Sequence, residues 1–143
     1  MVSLIPDVPV IDRPGIISAW DDPKVVAAVE KADRKNLIMA GVTVDVCLAF
    51  AAMQAADVGY NVHGVLDASG ALEVTIPREC RCQNGGSWIT SVNWTTVASE
   101  LQRNWALPTG QASGRVFHDH CHSYGLLMDS FEAVTAKAAK QAS

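Results

Sequence analysis

Residues 37–47 read Leu37-Ile38-Met39-Ala40-Gly41-Val42-Thr43-Val44-Asp45-Val46-Cys47, a bounded apolar run, a glycine, and the start of a longer apolar stretch. Four apolar residues without polar alternation, Leu37 to Ala40, predict a strand buried on both faces, as in a parallel sheet. Gly41 ends it. A helix is expected over about 44–58, apolar almost all round from Val46 to Ala56, and stopped at Gly59 where a left-handed residue is needed. Such a helix is buried on most sides or packs against a partner subunit. Upstream, Val8 to Ile11 is a brief extended run. Asp22-Pro23 reads as a cap and first helical position, and Val25, Val26, Val29 and Ala32 then predict a helix over 23–34. Downstream, Asn61 to Asp67 (NVHGVLD) is a second strand. Pro77 opens a third helix that ends near Asn84-Gly85-Gly86, and Trp88 to Trp94 is a third strand, β-branched and aromatic. A helix from Thr95 or Thr96 to Trp105 follows, then a loop rich in Gly, Pro and Ser, then a helix from Met128 to Lys140.

This alternation of strand and helix predicts an α/β fold with parallel strands and crossover helices. Function in such sheets sits beyond the carboxyl ends of the strands. The segments 41–47, 67–70 and 93–96 are therefore the ones to question.

Composition narrows the function classes. The 143 residues carry 11 basic and 15 acidic side chains, a net charge of −4, and make one domain of ordinary size. With a pI near 5.4 and no basic run, nucleic acid is excluded as the main partner. Apolar residues at 49% and charged residues at 18% exclude a mainly disordered chain. The longest apolar stretch, Val46 to Met53, is far too short for a membrane span, and the start of the chain has no signal-peptide pattern. A cytoplasmic location is expected. The cysteines (Cys47, Cys80, Cys82, Cys121) form no CxxC pair and are expected to stay reduced.

Cys47 falls in the first turn of the helix after Gly41. Free N–H groups and the positive end of the helix dipole both favour thiolate over thiol there. The same N–H groups can hold an oxyanion as a carbonyl is attacked. The competing reading is a buried core thiol, since free cysteine is among the most buried residue types. Phe117 to Tyr124 reads FHDHCHSY, with ligand-type residues from His118 to His122, but no second ligand pair stands at a recognisable spacing. A polar loop is expected there, with no metal and no cofactor. Cys80 and Cys82 are expected on a helix, where i and i+2 do not share a face. His63 reads as a core histidine, and Asp67 as a turn-shaping residue.

The segment AGVTVDVCLAFAAMQAADVGYNVHGVLDASG (40–70) resembles the cysteine-bearing turn and following strand of the isochorismatase-like cysteine hydrolase superfamily, in its YcaC-like branch. PVIDRPGIISAWDDP (9–23) resembles the loop carrying that branch's basic catalytic position, and VASELQRNWA (97–106) its late helix. The resemblance implies a Rossmann-like three-layer α/β/α sandwich with a mainly parallel sheet. It implies a single domain over 1–143, incomplete at the N-terminus. It also implies a triad of cysteine, aspartate and lysine. Cys47 matches the nucleophile, and Arg13 falls at the lysine position. A cis peptide is implied near Val42-Thr43-Val44, making Thr43 and Val44 the oxyanion turn, with Val44 where threonine is common. Trp20, directly after the Arg13 loop, is placed in the substrate pocket.

The family's aspartate ends an apolar first strand. Here Asp7 and Asp12 are the only early carboxylates, and neither follows such a strand. That strand belongs beside Leu37 to Ala40, and without it an apolar edge is left that pairs with other chains. A homo-oligomer is expected. The implied function is hydrolysis of a small amide or imide through a thioester, with a small-molecule substrate and no nucleic-acid or membrane partner. The alternative is a catalytically inactive hydrolase-fold module with an assembly or binding role.

Overall fold

The structure, a computed structural model, describes residues 5–70, 82–84 and 87–141. The chain divides into two compact units, 1–94 and 95–143.

In the first unit, Ser18 caps a 3-10 turn, Ala19–Asp21, by accepting from the Trp20 N–H at 3.3 Å. Buried Asp22 caps α1 (Pro23–Ala32), accepting from the Lys24 N–H at 2.9 Å, with proline in the first position as expected. Asp33, at φ 48°, ends α1 in the left-handed region. Strand β1 (Asn36–Met39) follows. The single helix expected over 44–58 is instead a π turn, Val44–Leu48, continued by α2 (Ala49–Asp57), and Gly59 stops it at φ 100°. Strand β2 is Asn61–Val65, β3 is Cys82–Asn84 and β4 is Ser87–Val92.

The sheet runs β1-β2-β4-β3, with β1, β2 and β4 parallel and β3 antiparallel to β4. The fold is therefore α/β with a mainly parallel sheet. Leu37, Val62 and Ile89 form one row across the three parallel strands. Val62 is buried in that row, and Leu48, Ala52, Ala55 and Ala56 pack over it. Alanines carry the buried face of α2, so its backbone can lie close to the sheet.

Two expectations are corrected in this unit. Leu37 to Ala40 does not form a strand covered on both faces. Among the described residues β1 has β2 as its neighbour on one side, and Ile38 is 55% exposed while Leu37 and Met39 pack on the core. The helix expected from Pro77 to 84–86 is also wrong at its end. Residues 82–84 are strand, with Asn84 opposite Ser87 of β4. Cys82 thus lies on a strand, and residues 77–81, Cys80 among them, fall outside the described residues.

The second unit consists of α3 (Trp94–Gln102, from Thr95 onward), α4 (Gly110–His120) and α5 (His122–Gln141). The expected Gly-, Pro- and Ser-rich loop thus holds a helix, and the last helix begins at His122 rather than Met128. Tertiary packing overrides weak local propensity here. Phe117 is buried, with the rings of Trp105 and Tyr124 edge-on at 5.4 Å and 5.5 Å. Buried Gln102 accepts from Thr109 Oγ1 at 3.0 Å and Ser113 Oγ at 2.7 Å, joining the end of α3 to the start of α4. Leu127, Phe131 and Val134, one face of α5, are exposed. Among the described residues no helix is long and apolar enough to cross a membrane.

Candidate active site

Two loops meet at the carboxyl ends of β1 and β2, and the contact between them sets the position of Cys47. The Gly41 N–H donates to Ser69 Oγ at 3.1 Å, and the Ser69 hydroxyl donates to the Val65 carbonyl at 2.8 Å. One residue further on, the Gly70 N–H donates to the Val42 carbonyl at 3.1 Å, and the Val44 N–H donates to the Gly70 carbonyl at 2.8 Å. The glycines permit this approach. A Cβ on Gly41 would sit 2.9 Å from Leu48 N and 3.2 Å from Cys47 Cβ, and one on Gly70 would run into the Val42 carbonyl oxygen. Asp67 Oδ1 accepts from the Trp94 N–H at 2.8 Å and holds the far side of the second loop.

Cys47 is half-buried in the π turn. Thr43 precedes the turn in extended geometry (φ −131°, ψ 142°), and its carbonyl accepts from the Leu48 N–H at 3.1 Å. The wider i→i+5 turn is a rare geometry that occurs frequently at functional sites. Val46 and Cys47 stand at its head, where N–H groups have no partner inside the helix and the dipole is positive.

The oxyanion turn expected at Thr43 and Val44 is corrected in two respects. The Val44 N–H is taken by the Gly70 carbonyl and is not available to a substrate. Among the described residues there is no cis peptide bond, so Val42 to Val44 is trans, with its two bonds to Gly70 shaping the turn. The other expected site residues make their contacts elsewhere. Arg13 Nη1 donates to the Ile16 carbonyl at 3.2 Å within its own loop. Trp20 packs on the apolar cluster, edge-on to Tyr60 at 5.5 Å. Tyr60 directly precedes β2, at the opposite end of the strand from the Ser69 loop. The structure thus brings Cys47, Thr43 and Val44 together, while the contacts of Arg13 and Trp20 go to other residues. Sequence reasoning singled out the 67–70 segment but gave Ser69 and Gly70 no role of their own. Their signal was their place at the end of the strand next to β1.

The histidine-rich segment spans the α4–α5 junction and is not a loop. His118 Nδ1 lies 2.9 Å from Asp119 Oδ1 and its Nε2 2.9 Å from Asp129 Oδ1, so both ring nitrogens are engaged. The Asp119 and Asp129 carboxylates raise the His118 pKa above its ordinary value, and the bond to His118 lowers that of Asp119. Among the described residues no group of three or more His, Cys, Asp and Glu side chains could hold a metal ion.

The isochorismatase domain matches residues 2–79, the stretch that holds β1, β2 and the turn carrying Cys47. The chain belongs to the isochorismatase family. It is 37% identical over 132 residues to YcaC of Escherichia coli (strain K12), described as a probable hydrolase, covering 91% of this chain and 62% of that protein. Two solved structures share 33% identity and a TM-score of 0.72 with it. One is YcaC from Pseudomonas aeruginosa with hexane-2,5-diol and covalent acrylamide, covering 92% of this chain and 64% of that one. The other is the Escherichia coli YcaC gene product, an octameric hydrolase of unknown specificity, covering 93% and 65%. The chain therefore spans 62% of the length of the curated relative it matches.

Proposed function

We propose that this chain carries the thiol half of a cysteine hydrolase acting on a small amide or imide. The observation that carries this reading is the setting of Cys47, at the head of a π turn beyond the carboxyl end of β1. The Cys47 thiolate attacks the carbonyl carbon. The Val46 and Cys47 N–H groups meet the developing oxyanion. The C–N bond breaks, the amine leaves with the proton given up by the thiol, and the acyl group remains as a thioester. Water hydrolyses the thioester to the acid and restores the thiol. Arg13 stays charged throughout, so it orients a carboxylate or substrate oxygen rather than moving a proton. The relative with covalent acrylamide supports a reactive nucleophile in that protein, since the acrylamide alkene adds nucleophiles such as thiolates while its amide bond stays intact. The octameric relative supports a homo-oligomer. Both units belong to one domain in this reading, a reduced cytoplasmic setting suits the free thiol, and the chemistry requires no cofactor.

Ammonia or amine release from a panel of small amides and imides tests it. Turnover is expected for the native chain, falling on the order of 10³-fold or more in Cys47→Ala. An acyl adduct on Cys47 is expected in the intact mass. A second reading, an inactive assembly module, is favoured by one observation: the apolar side chains of Ile38, Leu127, Phe131 and Val134 are left exposed. A stable oligomer without turnover, unchanged by Cys47→Ala, would establish that reading instead.

A further inference from the structure

Ser69 lies one hydrogen bond from the backbone on which Cys47 rests. Its hydroxyl proton is committed to the Val65 carbonyl at 2.8 Å, which leaves an oxygen lone pair for the Gly41 N–H at 3.1 Å. Only a hydroxyl both donates and accepts from one short side chain in this way. Gly41 in turn has no room for a side chain, because Cys47 and Leu48 lie against it. The loop behind Ser69 is fixed on the sheet: the Leu66 N–H donates to the Val92 carbonyl at 3.0 Å, the Ser69 N–H to the Leu66 carbonyl at 3.1 Å, and Asp67 receives the Trp94 N–H at 2.8 Å. A rigid support, one hydroxyl, one peptide group and the cysteine thus form a continuous path.

We propose that Ser69 is a positioning residue that sets the reactivity of Cys47, resting on the reading of Cys47 as the nucleophile. It does not touch the substrate. It fixes the Ala40–Gly41 peptide, and through that the angle at which the π turn presents the sulfur. Small displacements of a reacting group are costly, about 10²-fold for 1 Å in well-positioned sites.

The test is site-resolved alkylation by iodoacetamide of the full chain, read by mass spectrometry as the rate at Cys47 relative to Cys121. In Ser69→Ala that ratio is expected to fall about fivefold or more, while Ser69→Thr, which keeps the hydroxyl, holds it within about twofold of the native value. Should Ser69→Ala fail to fold, Ser69→Cys takes its place, since a thiol is only a weak donor and acceptor, and the same fall is expected. A folded Ser69→Ala with the native ratio overturns the proposal. So does a Ser69→Thr as slow as Ser69→Ala. A native chain in which Cys47 reacts no faster than Cys121 overturns the nucleophile reading itself, a result distinct from the other two.

Discussion

Cys47, Gly41 and Gly70 carry the site at the level of single residues. The setting of Cys47 was legible in the sequence, because a helical turn after a strand and a glycine follows a local pattern of spacing. Ser69 was not. Its importance arises from a hydrogen bond across 28 positions to Gly41, which no local pattern encodes. Gly70 is likewise defined by a distant group, the Val42 carbonyl that a Cβ would strike. Gly70→Ala is therefore expected to destabilise the fold by about 1–3 kcal/mol, the usual cost of overpacking. It should also slow Cys47 alkylation, because the Val42–Gly70 pair of bonds spreads. Urea unfolding with parallel labelling checks both. A variant as stable and as reactive as the native chain would show that the two loops are not tightly joined.

Whole elements were read well where side-chain period and caps agreed. Asp22-Pro23 opened α1, and Gly59 closed α2. Elements were misread where distant partners decided. Gly110, Ser113 and Gly114 look like a loop, yet Phe117, Trp105 and the Gln102 side chain hold them in α4. Asn84, expected at the end of a helix, instead lies opposite Ser87 on a strand. At the α4–α5 junction, His118 joins Asp119 to Asp129 and predicts a pH dependence. Its folded pKa lies above the ordinary 6.5, so its contribution is complete below 6.5 and fades as pH rises through the raised value. Asp119 is lowered from 3.8, so its contribution is complete above 3.8 and is lost as pH falls through the lowered value. The melting-temperature gap between the native chain and His118→Gln is expected to be widest between 3.8 and 6.5, and to close in mildly alkaline buffer. Since these side chains are 39% to 62% exposed, the gap should be small and shrink with salt. A gap that grows with pH would contradict this arrangement.

At the scale of the whole molecule, the parallel sheet brings the ends of β1 and β2 side by side, and that is what makes a site from two short loops. The family's fold was legible because the pattern of alternating elements survives errors in individual boundaries. The geometry of the 41–47 turn was legible only in part, because the partner of the Val44 N–H lies in the next strand's loop. The proposed association rests on what is left uncovered among the described residues: Ile38 on β1, and Leu127, Phe131 and Val134 on α5. Light scattering is expected to give a multiple of the 15.3 kDa chain mass, and a monomer at micromolar concentration would refute the homo-oligomer. The activated thiol remains the central claim. It is tested most directly by alkylating all four cysteines of the native chain in one sample and resolving the rate at each. Cys47 is expected to react about tenfold or more faster than Cys80, Cys82 and Cys121 at neutral pH, as a thiol presented in a helical turn at the end of a strand should. A rate at Cys47 equal to or below the others would contradict it.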